Sequence, residues 1–160
     1  MGVEGEKPPI PVLCGVIFDS RGRILAARRG PGRLLVGKWE FPGGKWEPDE
    51  EAAAGLRREL REELGIEVEV GAALTPVTHC YEALSIRLLP FCCRWLSGTP
   101  TPTEHTEIRW LLPEGLPSLD WAAADEPIVR EVVSRFPGPT LAQDEGASSE
   151  GWSGLSRPCR

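Results

Sequence analysis

The sequence predicts an α+β fold in which a mixed β-sheet lies between two helices. Two observations carry this. Patterned segments run in the order strands, helix, strands, helix, the arrangement that packs a sheet against helices. Glycine and proline supply 18 and 16 of 160 residues, too loop-rich a chain for an all-helical bundle.

Each element has its own warrant. Residues 1–9 form a polar leader with two prolines, read as flexible, and the ordered domain is expected over 10–136. Residues 11–18 (PVLCGVIF) read as a strand and 23–27 (RILAA) as a return strand. The turn DSRG between them makes the pair a hairpin. Residues 28–38 are a basic, glycine-containing loop. Residues 39–41 (WEF) are a short strand, ended by Pro42-Gly43-Gly44.

Residues 50–64 (EEAAAGLRRELREEL) are the strongest helix, rich in Ala, Leu, Glu and Arg. Ala53, Leu56, Leu60 and Leu64 make one apolar stripe. Asp49 is placed to cap its start, with Glu50 and Glu51 in the first turn. Gly65 is placed to end it in the left-handed conformation.

Residues 66–70 alternate as a half-buried strand, and 72–77 and 84–96 supply more strand. Pro90 marks a bulge or edge in the last of these. A loop over 97–103 leads to a strand at 108–112. A second helix is expected over 126–136, capped by Asp125 and with Pro127 in its first turn. Residues 137–160 lack periodicity and read as a disordered tail.

Charge and composition exclude several classes of function. The formal net charge of −6 argues against binding polymeric nucleic acid, which rests on clustered Lys and Arg. It does not oppose a small phosphorylated substrate whose charge is met by metal ions. No apolar run is long enough to span a membrane. Five cysteines, an odd number without a CxxC, argue against a disulfide framework or a structural zinc site and fit a reducing cytoplasm. A cytoplasmic location is therefore expected.

The chemistry concentrates in residues 43–66. Glu59, Glu62 and Glu63 project from one side of the helix, where like charges repel by a few tenths of a kcal/mol. A divalent cation among them removes that penalty, and hard oxygen ligands suit Mg²⁺ or Mn²⁺. Glu50 lies within reach, and Arg58 is spaced to pair with Glu62 or to orient Glu50 or Glu59. The Gly43-Gly44 bend lets backbone carbonyls approach an ion. The competing reading is a solvated helix face whose charges serve solubility.

The segment resembles the Nudix box: Gly, five residues, Glu, seven residues, Arg-Glu-aliphatic, one residue, Glu-Glu, one residue, Gly-aliphatic. Gly44, Glu50, Arg58, Glu59, Leu60, Glu62, Glu63, Gly65 and Ile66 fill every fixed position. Trp39-Glu40-Phe41-Pro42-Gly43-Gly44-Lys45 and the preceding Ala27-Arg28-Arg29 resemble the MutT branch. Ala123-Ala124-Asp125-Glu126-Pro127-Ile128 resembles that branch's base-recognition element. The oxidised-guanine enzyme has Asn where Asp125 stands, and Asp is nearer the CTP pyrophosphohydrolase-like members. Asp49, Trp46 and the pair Leu84-Ser85 depart from common family residues. The last departure weakens transfer of one particular base preference.

The resemblance implies a Nudix-type α/β/α sandwich and a Mg²⁺-dependent pyrophosphohydrolase, with Mn²⁺ as substitute. Such an enzyme splits nucleoside triphosphates, (d)CTP-type or oxidised such as 8-oxo-dGTP, into monophosphate and pyrophosphate, a role in nucleotide-pool sanitation and DNA repair. It implies Glu59, Glu62 and Glu63 as metal ligands, with the Gly43 or Gly44 carbonyl, and Glu50 and Glu104 as accessory ligands. Glu62 and Glu104 compete for the role of general base, with Arg58 and Glu59 as further catalytic residues. Arg29, Phe41, Lys38 and Asp125 are candidate substrate contacts; Phe41 reads equally well as core, and Arg33 is a further source of positive charge. His79 and His105 read as structural or surface residues. The alternatives are a nucleotide-sugar, dinucleotide or capped-RNA pyrophosphatase, or a Nudix-fold module that binds nucleotides without turnover.

Overall fold

A computed structural model describes residues 8–137. It contains eight strands in one mixed sheet and two α-helices: β1 (Ile10–Phe18), β2 (Ile24–Arg29), β3 (Trp39–Glu40), β4 (Gly43–Lys45), α1 (Ala52–Leu64), β5 (Glu67–Ala73), β6 (Val77–Cys80), β7 (Ser85–Ser97), β8 (His105–Leu111) and α2 (Glu126–Arg135). Short 3₁₀ turns at Pro113–Ser118 and Ala123–Asp125 lead into α2. The expected disorder of leader and tail falls, but for residues 8, 9 and 137, outside the described residues.

β1 is the spine. Alternate residues bury opposite ways, as the strand period requires: Leu13 and Ile17 pack under α1, and Cys14, Val16 and Phe18 face the α2 side. β7 runs parallel to β1 over its whole length, from Ile10 beside Ile86 to Phe18 beside Arg94. The mixed sheet between two helices is as expected.

The hairpin expectation holds only at its closed end. β1 and β2 pair at Phe18 and Ile24 and then part. The turn is fixed by Asp19, whose Oδ1 accepts the N–H groups of Arg21 and Arg23, both at 2.9 Å. Beyond it, β2 takes β8 as its long partner. The residues 39–45 fill the gap between the parted strands: β3 pairs with β2, β4 pairs with β1, and Gly15 donates to the Pro42 carbonyl at 2.9 Å. Gly43-Gly44 therefore does not end a strand but forms one, because β1 offers it an open edge.

Other corrections have equally local causes. α1 starts at Ala52, not at Glu50, and Asp49 is not its cap; Glu51 is the extended residue before it. Glu50 stays outside because its carboxylate is held by Arg58 and the Glu47 N–H. Gly65 ends α1 at φ 72°, as expected. Residues 72–77 are not one strand: β5 runs on to Ala73 and β6 begins at Val77. Pro90 lies where β7 exchanges β5 for β6, its carbonyl accepting Leu74 N–H at 2.8 Å. Asp125 precedes α2 but does not cap it, for its carboxylate turns inward to Phe41.

Candidate active site

Strand register places the site. On the face of the sheet toward α1, Ala27 is paired with both Glu40 and Ile108. The next residue on that face of β2 is Arg29, and unbroken register would set it opposite Thr106. A bulge in β8 sets it opposite His105 instead. Arg29, Glu40 and His105 thus meet on one face, at the mouth of the gap between β1 and β2.

Glu40 is the hub of this group. Its Oε1 receives Arg29 Nη1, and its Oε2 receives His105 Nε2–H at 2.8 Å and faces Arg33 Nη1 at 3.5 Å. Burial alone raises this carboxyl, but the His105 hydrogen bond and the two guanidiniums outweigh it and hold it below the usual range. His105 is wholly buried, and its Nδ1 has no partner. It is a buried member of the charge network, not a surface residue.

The acids of α1 face the same place. An added Cβ on Gly44 would lie 2.1 Å from Glu59 Oε1, so only glycine lets the carboxylate lie against this strand. Arg58 gathers the neighbouring acids: Nη2 donates to Glu50 Oε1 at 2.6 Å, Nη1 to Glu59 Oε2 at 2.9 Å, and Nη1 lies 3.4 Å from Glu62 Oε1. Glu62 is exposed. Glu63 is different, because its Oε1 is buried without a partner. Burial first, then the charges of Glu40, Glu59 and Glu104 opposed by Arg33, push its carboxyl up to about 8.

An orphaned carboxylate oxygen among further acids fits a hard divalent cation: the donors are all oxygens, and the negative charge is in excess. As the side chains stand, no three acidic, histidine or cysteine groups among the described residues are gathered closely enough to hold an ion. Glu59, Glu63 and the Gly43–Gly44 backbone are nonetheless the groups so placed, with Glu62 and Glu50 alongside on Arg58. Glu104 is exposed, 3.9 Å from Arg33 Nε, and its charge reaches Glu63.

Behind Gly43 and Gly44, on the α2 face, opens a cleft of about 640 Å³. Arg29, Arg33, Glu40, Tyr81, Leu88 and Asp125 are among its lining residues. Asp125 is buried; its Oδ2 accepts Phe41 N–H at 3.0 Å. Burial, then the Glu40 charge, raise its carboxyl well above the usual range. The neighbouring Ala124 N–H donates to the Tyr81 hydroxyl at 2.9 Å. Phe41 is stacked on Trp121 with centroids 4.6 Å apart and is nearly inaccessible, so most of its ring belongs to the core. Lys38 lies outside the cleft lining and pairs with Asp120 at 3.0 Å. His79 packs at a tilt against Tyr81, ring centroids 4.4 Å apart.

Sequence reasoning missed Glu40 and undervalued His105. Glu40 had one available signal: an acid between Trp39 and Phe41, both of which the strand period turns to the opposite, buried face. His105 had none, because its facing depends on a bulge.

The arrangement pairs an acidic helix edge with a cleft of mixed polarity and joins them by two arginines. Residues 13–131 match the NUDIX domain family. The chain is 38% identical over 122 residues to the CTP pyrophosphohydrolase of Escherichia coli K12, covering 76% of this chain and 90% of that protein. It is 37% identical over 83 residues to the 8-oxo-dGTP diphosphatase of Proteus vulgaris, covering 52% and 74%. The crystal structure of a MutT protein from Methanosarcina mazei Go1 superposes with a TM-score of 0.70 at 25% identity, over 83% of this chain and 99% of that one.

Proposed function

From the premise that this chain belongs to the Nudix hydrolase family, we propose that it is a Mg²⁺-dependent nucleoside triphosphate pyrophosphohydrolase. It cleaves a phosphoanhydride bond of a nucleotide, as its relatives' names describe. The finer reading is release of pyrophosphate and monophosphate from (d)CTP-type or oxidised substrates such as 8-oxo-dGTP. One observation carries it: the acidic edge of α1, with the orphaned Glu63 oxygen, opens onto the same junction as the cleft lined by Asp125.

When bound, Mg²⁺ neutralises charge on the phosphoanhydride oxygens and lowers the pKa of the attacking water. Glu59, Glu62 and Glu63 would hold it, with the Gly43 or Gly44 carbonyl and with Glu50 and Glu104 as accessories. Glu62 and Glu104 are both exposed, so either can take a proton from water. Arg58 orients Glu50 and Glu59 through its guanidinium fork. Asp125 directs its free oxygen to the base. Kept protonated, it offers an O–H to an acceptor such as cytosine N3; ionised, it accepts two adjacent N–H groups of guanine.

The test is a screen of unmodified and oxidised nucleoside triphosphates with Mg²⁺ or Mn²⁺, run in ¹⁸O-water with products identified by mass. Label in the monophosphate is expected. Label in pyrophosphate instead would place the attack at the neighbouring phosphorus of the same bond; orthophosphate as the first product rejects the assignment.

A further inference from the structure

Between the cleft and the acidic helix lies a charged cluster of which only Arg29 and Arg33 have so far been given a task, while Glu40 and His105 have none. Arg29 comes from the end of β2, Arg33 from the loop after it, Glu40 from β3 and His105 from β8. Three separate chain segments thus converge on a carboxylate carried by a fourth. Burying a carboxylate and two guanidiniums is costly, and apolar packing would serve stability at least as well. The cluster is also built with care: the β8 bulge is what puts His105, rather than Thr106, on this face.

Its open side points to a ligand. Arg29 spends Nε on the Leu34 carbonyl and Nη1 on Glu40. Arg33 spends Nη1 on Glu40. Among the described residues Nη2 of each has no hydrogen-bond partner, both side chains line the cleft, and both remain partly accessible. Arg33 also lies 3.9 Å from the exposed Glu104, so it is the two unspent Nη2 groups, not a net positive charge, that mark the point where the cleft meets the acids of α1. His105, held on Glu40 Oε2, fixes which way that carboxylate faces and so where both arginines stand.

We propose that Glu40 and His105 are positioning residues that hold Arg29 and Arg33 as a paired guanidinium receptor for the polyphosphate chain of the substrate. The inference rests on the nucleotide-hydrolase reading for its ligand. A guanidinium fork matches phosphate oxygens; Arg29 has its other donors fixed on Leu34 and Glu40, and Arg33 is held more loosely, its Nη1 3.5 Å from Glu40. Arg33 becomes a phosphate contact alongside Arg29, while Lys38, tied to Asp120 outside the cleft, does not.

The experiment measures affinity for inorganic tripolyphosphate and for a nucleoside monophosphate, by titration calorimetry at fixed excess Mg²⁺. It compares the wild-type chain with Arg33→Gln, His105→Phe and His105→Gln. Arg33→Gln should weaken tripolyphosphate binding roughly tenfold and leave the monophosphate within about twofold. His105→Phe should do the same to a smaller extent, about threefold to tenfold, and raise KM more than it lowers kcat. His105→Gln, which can still donate to Glu40, should restore binding to within about twofold of wild type.

Wild-type tripolyphosphate affinity in Arg33→Gln overturns the proposal, whether or not His105→Phe folds. So does equal loss of both ligands in a folded His105→Phe. Absence of pyrophosphate release by the wild-type chain would instead reject the functional reading, and the tripolyphosphate titrations would still judge the receptor.

Discussion

α1 and α2 each bury an apolar stripe against opposite faces of one sheet: Leu56, Leu60 and Leu64 on one side, Ile128, Val129 and Val132 on the other. By local pattern they are nearly the same object. They differ in what their polar sides meet. On α2, Glu131 accepts from Thr75 N–H at 3.1 Å and pairs with Arg135 at 3.1 Å, which ties the helix to the chain after β5. On α1, Glu59 and Glu63 turn toward the gap where β1 and β2 part, and one Glu63 oxygen is left without a partner. Acids that meet a donor are structural; acids gathered without enough donors are available for chemistry.

The sharpest way to break this comparison is to neutralise acids on both helices. Glu59→Gln, Glu62→Gln and Glu63→Gln should each cut turnover on the order of a hundredfold with the fold retained. Glu131→Gln should leave turnover unchanged. Pyrophosphate release together with far-UV circular dichroism checks both, and an active Glu63→Gln would return α1 to the status of a solvated charged face.

The apolar stripes should respond alike where the acids do not. Leu60→Ala should cost about 2–5 kcal/mol of stability through transfer and cavity terms. Val132→Ala should cost about 2 kcal/mol for its two lost methyl groups and the space they leave. Urea unfolding measures both; a negligible loss at Leu60 would mean that α1 is not anchored by its stripe.

Asp125 tests the cleft rather than either helix. Asp125→Asn exchanges the hydrogen-bonding pattern at constant size. The ratio of kcat/KM between dCTP and dGTP should shift by roughly tenfold to a hundredfold. A common fall for dCTP, dGTP and 8-oxo-dGTP would make Asp125 only the anchor of Phe41 N–H.

The last effect is on pH. Folding raises the Glu63 carboxyl from 4.5 to about 8 in the metal-free protein. The native state therefore favours the protonated form; that contribution is complete below about pH 4.5 and is lost as pH rises through about 8. In EDTA, Tm should fall across this window, and Glu63→Gln should flatten the fall. Thermal melts from pH 5 to 9 check it; equal slopes in both proteins would count against a buried Glu63.

The sequence by itself determined the order of elements, both helices and their stripes, the left-handed stop at Gly65 and the acids that share one edge of α1. These are local: period, propensity and spacing act within a few residues. The box resemblance likewise reads a contiguous run. Only the tertiary structure decided that β2 leaves β1, that Gly43-Gly44 becomes a strand, and that Asp125 turns to Phe41 instead of capping α2. It also decided that Glu40 gathers Arg29, Arg33 and His105 from across the chain. Each depends on a hydrogen-bond partner distant in sequence. The facing of His105 depends on one bulged residue, and a single-residue slip turns a strand over without leaving a local trace.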